Sequence, residues 1–230
     1  MTLTVAQARP SERAKFIQQT YTHLAGAVGA FVLVEFLLFQ TGIAAALTSF
    51  VAASRFSWLA ILGGFALLGW FSRELAGKAD AVQTQYIGLG IYVIAEALIF
   101  APLLFIAAYF SDPTVIPTAA ILTLLLFGGL TTIAFTTRKD FSFLGGILKI
   151  AGFVAIGLII CSVLFGLTLG LIFSVAMVIF AAAAILYDTS KIMHHYSTEH
   201  YVAASLELFA SVALLFWYVL RIVMAFSSRR

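Results

Sequence analysis

The chain has 230 residues, of which 63% are hydrophobic and 10% charged, with a net charge of +3 and a mean hydropathy of +1.08. Soluble domains carry roughly 45–50% apolar residues, and charges this sparse cannot dress a soluble surface, so the composition specifies a polytopic membrane protein. It offers no basic patch outside the helix ends for nucleic acid. A single cysteine, Cys161 in an apolar run, excludes a disulfide framework and any cysteine-based metal site.

Residues 1–19 are polar and carry Arg9, Arg13 and Lys15. The apolar run behind them is too long for a signal peptide and lacks a small-residue cleavage site, so no removal is expected. It predicts a first span over residues 22–42, and further spans follow over 57–75, 85–110 and 115–135. The 45-residue run Phe143–Tyr187 is twice what a hydrocarbon core about 30 Å thick requires. It must fold back, at Gly166, giving spans over 143–163 and 168–187, and a last span covers 202–226. The expectation is one all-α unit, a bundle of seven transmembrane helices with short loops and no separate soluble domain.

Loop charges orient this bundle. Arg9, Arg13, Lys15, Arg73, Lys78, Arg138, Lys139 and Lys191 gather on one side, whereas the opposite loops carry only Arg55. The asymmetry predicts a cytoplasmic N-terminus together with cytoplasmic loops 76–84, 136–142 and 189–201. Seven spans then leave Arg229 and Arg230 outside, against the rule. Within the spans, Gly26, Gly29, Gly63, Gly64, Gly128, Gly129, Gly145, Gly146 and Gly152 read as sites of close helix approach, and Pro102 as a kink.

Charges inside a bilayer cost about 2.5–3.5 kcal/mol each on insertion scales, so each needs a reason. Glu96 shares a helix face with Tyr92 and Gln85, with Gly88 at its edge. It reads either as part of a proton or cation path or as a neutral, hydrogen-bonded core carboxyl. Glu35 has no polar stripe around it and reads as structural, and Lys149 is placed to snorkel. Arg73 ends its helix as a topology anchor that could also reach Asp188. The richest stretch is Ala181–Ile222. Here Tyr187-Asp188-Thr189 reads as the break between two helices, followed by a polar turn with Lys191, His194, His195, Glu199 and His200. On the helix beyond, Glu207, Ser211, Tyr218 and Arg221 fall within about 80° at 100° per residue. That polar stripe needs an inward-facing use. The histidines lack zinc spacing and read as a solvated loop titrating near neutral pH. No nucleophile elbow, phosphate loop or HExxH pattern appears, so an enzyme is not expected. The candidate path residues are Asp188, Ser211, Glu207, Glu96, Arg73 and Arg221, with no cofactor beyond a transient calcium ion or proton.

Two stretches, Leu130–Lys149 (LTTIAFTTRKDFSFLGGILK) and Ile185–Ile222 around Ile185-Leu186-Tyr187-Asp188, resemble the Bax inhibitor-1 family of seven-helix membrane proteins. The wording TTRKDFSFLGG is similar to the bacterial YccA branch. That resemblance implies a multi-pass protein of the bacterial inner membrane that partners and modulates the membrane protease FtsH. The family also implies an alternative, a pH-sensitive calcium leak closed by two aspartates that share a proton. Asp188 matches the first aspartate, but Ser211 stands at the second and Leu214 at a neighbouring asparagine. A single carboxylate cannot form the shared pair, and Glu207, one turn earlier, is the residue placed to substitute.

Overall fold

The computed structural model describes residues 4–77, 82–137 and 139–228. Lys78, Arg138, Arg229 and Arg230, which enter the charge pattern, lie outside them. Eight helices are described: α1 (Pro10–Gln40), α2 (Ile43–Ala53), α3 (Arg55–Ala76), α4 (Val82–Phe110), α5 (Val115–Thr137), α6 (Leu144–Phe165), α7 (Leu171–His194) and α8 (Tyr201–Ser227). All except α2 are long and apolar enough to cross a membrane, so the chain is a seven-span helical bundle. At 11 residues, α2 is only about 16 Å long, and the sequence reading had no helix there.

The first helix starts at Pro10, twelve residues before the expected start at 22. Pro10 occupies the first helical position, where its missing N–H costs nothing. Glu12 in the first turn accepts a hydrogen bond from Arg9 N–H at 3.4 Å, and its charge complements the helix dipole. Phe16 and Thr20 then bury one face of the polar-looking segment. The N-terminal segment ahead of it is docked as well. Val5 is fully buried and its N–H bonds Tyr196 O at 2.8 Å, while Thr4 bridges Ser197.

The second correction lies at Asp188. The expected break over 187–189 is absent, and α7 runs on to His194. No glycine, proline or asparagine interrupts residues 187–194, and Ile185, Thr189, Ile192 and Met193 continue a buried stripe at helical spacing. The earlier reversal does fall at Gly166, which ends α6 with φ +70°, a conformation that favours glycine.

Two helices form the centre. α4 carries the longest set of buried residues, from Gln85 to Ala107, and α8 packs on α1, α3, α4, α5 and α7. By contrast α6 buries only Ala155 and touches only α3 and α7. α3 and α4 pack backbone to backbone at Gly88, where a Cβ would lie 2.6 Å from Ser72 O and 2.8 Å from Ala76 N. Of the glycines expected to serve such approaches, Gly145 faces Tyr187 and Gly152 faces Phe180, whereas Gly26, Gly29, Gly63, Gly64, Gly128, Gly129 and Gly146 have open space where a Cβ would sit. A glycine's presence in an apolar run does not say which face it occupies.

Candidate functional site

The antiparallel pair α7–α8 is joined by two polar rungs. Ser211 Oγ donates to Asp188 Oδ2 at 2.5 Å. One turn toward the 195–200 connection, Lys191 Nζ donates to both carboxylate oxygens of Glu207, at 3.0 and 3.1 Å. The spacing 188/191 on one helix and 211/207 on the other is one turn in each, which is why the same stripe meets both partners. On the apolar side Ile185 and Leu215 are completely buried and seal the rungs from the rest of the span.

α4 supplies the third wall. Glu96 is 6% exposed and Tyr92 3%, and the two, four residues apart, share one buried face of α4. The Arg73 guanidinium of α3 lies 5.6 Å from the Tyr92 ring centre, and its positive charge acts on both Glu96 and Asp188. The site thus gathers three carboxylates (Glu96, Asp188, Glu207) and two cations (Arg73, Lys191) from four helices. Tyr196, in the α7–α8 connection, closes it. Lys191 Nζ sits 5.5 Å from its ring centre, and burial, followed by the Glu207 carboxylate, raises the pKa of its hydroxyl.

Three expectations change. Glu207, expected to stand in for a second aspartate, is bonded through both oxygens to Lys191. Arg221 does not join Asp188; ten residues beyond Ser211, it donates from Nη2 to Leu169 O at 3.0 Å, and the stripe Glu207–Ser211–Tyr218–Arg221 serves two ends of the span. The histidines are not one solvated set. His194 Nδ1 bonds Ser190 O at 2.8 Å, His200 Nε2 is buried without a hydrogen bond, and only His195 is exposed. Elsewhere, Glu35 is buried with neither oxygen hydrogen-bonded, and Lys149 is exposed on α6. No cluster of three or more His, Cys, Asp or Glu side chains able to hold a metal occurs among the described residues.

One assembly escaped the residue-by-residue reading. Asp140 Oδ1 accepts from Ser142 N–H at 2.9 Å and Ser142 Oγ at 2.5 Å, an Asx turn. Ser190 of α7 donates to Asp140 at 3.3 Å and accepts from Phe141 N–H at 2.9 Å. His195 Nε2 lies 3.0 Å from Ser142 Oγ. These bonds tie the α5–α6 connection to the end of α7 two residues from Asp188. The bonds from Ser142 hold the Asp140 pKa below its ordinary value. The Asp-x-Ser spacing was the available signal.

A cavity of about 1030 Å³ opens between α3, α4, α6, α7 and α8. Arg73, Tyr92, Glu96 and Ser211 line one part of it, and Trp58, Trp217 and Arg221 another. Most of its wall is apolar.

Comparison with known proteins places this architecture. The family model described as "Inhibitor of apoptosis-promoting Bax1" matches residues 13–228. The chain is 39% identical over 110 residues to the uncharacterized protein PA2604 of Pseudomonas aeruginosa, covering 47% of this chain and 49% of that protein. It is 31% identical over 137 residues to the Golgi anti-apoptotic protein of Vaccinia virus, covering 57% and 54%. It is 40% identical over 96 residues to the modulator of FtsH protease YccA of Escherichia coli, covering 41% and 42%. The chain spans about half the length of these curated relatives. The family model, in contrast, takes in nearly all of it, and the chain belongs to the Bax inhibitor-1 family.

Proposed function

We propose that this chain is a non-catalytic regulatory protein of the bacterial inner membrane that binds and modulates an FtsH-type membrane protease. The likeness to YccA carries this reading, and the local structure supports it. The N-terminal strap, the Asp140 turn and the α7–α8 connection form one ordered platform at the end of the bundle that charge asymmetry assigns to the cytoplasm. Loops fixed by hydrogen bonds to a rigid bundle are a common basis for partner recognition. Affinity purification of the full chain from inner membranes, in cells with and without the protease, tests the proposal. Recovery of the protease with the wild type, and its loss on Asp140→Ala, is the expected result, and recovery of none with the wild type overturns it.

A second reading has its own observation. Glu96, Arg73 and Ser211 line one cavity, with Ser211 bonded to Asp188, an arrangement suited to a cation or proton path. Calcium flux in proteoliposomes at several pH values tests this reading. A flux that Asp188→Asn leaves unchanged at every pH overturns it.

A further inference from the structure

Arg55 is the exception to the loop-charge asymmetry, and the structure brings a second arginine to it. The 166–170 turn between α6 and α7 is their meeting place. Arg221 donates to Leu169 O on this turn, and Arg55 Nη1 lies 3.3 Å from where a Cβ on Gly166 would be. Neither guanidinium has a carboxylate within ion-pair distance among the described residues. The Leu169 carbonyl uses one of the five N–H donors of Arg221. Two uncompensated cations at one end of a membrane bundle call for an anion.

Each arginine is followed or preceded, at one helical turn, by a tryptophan. Trp58 lies three residues after Arg55 on α3, and Trp217 four before Arg221 on α8. The two indoles stack at 5.8 Å and line the cavity of about 1030 Å³. Tryptophan suits the boundary between head groups and acyl chains. Inward from the indoles the wall is mostly apolar, with Leu62, Leu103 and Met177, ahead of the polar end at Arg73 and Glu96. The order along the groove is therefore cation, amphipathic ring, apolar cavity, which is the order of head group, ester region and chain in a phospholipid.

We infer that this groove binds an anionic phospholipid, with one acyl chain in the cavity between α3, α7 and α8 and the phosphate held by Arg55 and Arg221. The charge pair selects the head group, since the apolar wall accepts any chain. A basic residue near an anionic lipid surface contributes about a fivefold change in binding, so two arginines give a preference above tenfold over a zwitterionic lipid. This inference is independent of whether a protease partner exists.

The test uses the full chain with Trp70→Phe. Trp70 is 67% exposed and the sequence has three tryptophans, so the remaining fluorescence reports on Trp58 and Trp217. The protein is delipidated, reconstituted in phosphatidylcholine, and titrated with phosphatidylglycerol or phosphatidylcholine brominated on the acyl chain. Quenching should saturate at more than tenfold lower mole fraction of brominated phosphatidylglycerol. Arg55→Gln should weaken that preference about fivefold, and Arg55→Gln with Arg221→Gln should abolish it at an unchanged melting temperature. Arg55 is exposed, so its single variant keeps the test decisive if the double variant does not fold. Equal quenching by both lipids, or a preference that survives Arg55→Gln undiminished, overturns the inference.

Discussion

Ser211 donates to Asp188 across α7 and α8 at 2.5 Å, so a neutral hydroxyl occupies the place facing this carboxylate. A buried hydrogen bond to a carboxylate contributes about 1.5–3 kcal/mol, and Ser211→Ala should cost that much. Asp188→Asn keeps an acceptor for the Ser211 hydroxyl and should cost less than Ser211→Ala. Ser211→Asp would set two carboxylates against each other, tolerable only with a proton between them. Its melting temperature should therefore fall from acid to neutral pH more steeply than that of Ser211→Ala, which leaves a single buried carboxylate. Thermal unfolding of the three variants in one detergent checks the order.

The neighbouring rung is worth less. The Lys191 and Glu207 side chains keep 34% and 25% of their surface exposed, so water screens the pair. Lys191→Met should destabilise by about 0.5–1 kcal/mol, below the effect of Ser211→Ala although it removes a formal ion pair. A larger loss than that of Ser211→Ala in the same assay would show that the ion pair is the stronger clamp.

Close packing between α3 and α4 predicts a sharp contrast between glycines. Gly88→Ala drives a methyl against backbone atoms of Ser72 and Ala76 at 2.6 and 2.8 Å, which neither helix can yield without shifting. A loss of about 1–3 kcal/mol is expected. Gly128→Ala meets open space on a helix and should be neutral or stabilising by up to about 1 kcal/mol. Equal melting temperatures for the two variants would mean that the α3–α4 contact is looser than described.

How much of this was legible in the sequence depends on which force decided each feature. The seven spans follow from hydropathy, a property summed over twenty residues, and the reversal at Gly166 from length alone. The helical continuation through Tyr187-Asp188-Thr189 did not follow, because polar residues resemble a turn until Ile192 and Met193 are counted as part of the buried stripe. Likewise the docking of Val5 rests on one apolar side chain in a polar tail. Asp188 and Glu207 both stand out in the sequence, but the pairing of Glu207 with Lys191 does not: helical spacing says which residues share a face, not which opposing side chain lies within 3 Å.

The Asp140 turn predicts an acid-sensitive latch. Its carboxylate has a pKa lowered from 3.8, chiefly by the Ser142 hydroxyl and N–H. A lowered folded-state pKa means that the contribution is fully present above the ordinary carboxylate value and is lost as pH falls through the lower one. The α5–α6 connection should stay tied to α7 at neutral and mildly acidic pH and loosen only below about pH 4. Asp140→Asn should remove that acid transition. Labelling of a cysteine placed at Phe143, which is 67% exposed, against pH reads the attachment, and an acid transition that persists in Asp140→Asn would remove Asp140 from the latch.

The last prediction concerns the strap. A polar N-terminal tail suggests a ready handle for a protease, and exposed termini are where proteolysis concentrates. Here residues 4–9 are held by the Val5 N–H to Tyr196 O bond and by the buried Val5 side chain, so the handle is stowed. Val5→Asp puts an unpaired charge into that pocket, and burying such a group costs more than undocking a short segment. The strap should therefore release while the bundle keeps its melting temperature, and limited proteolysis should cut within the first residues of Val5→Asp faster than in wild type. Val5→Ile, which preserves the apolar plug, should behave as wild type. If the tail is the point of engagement by an FtsH-type protease, Val5→Asp should also shorten the protein's half-life in cells that contain the protease and leave it unchanged in cells that lack it. A released strap with an unaltered half-life would remove the tail from the interaction and leave the Asp140 turn as the platform's contact.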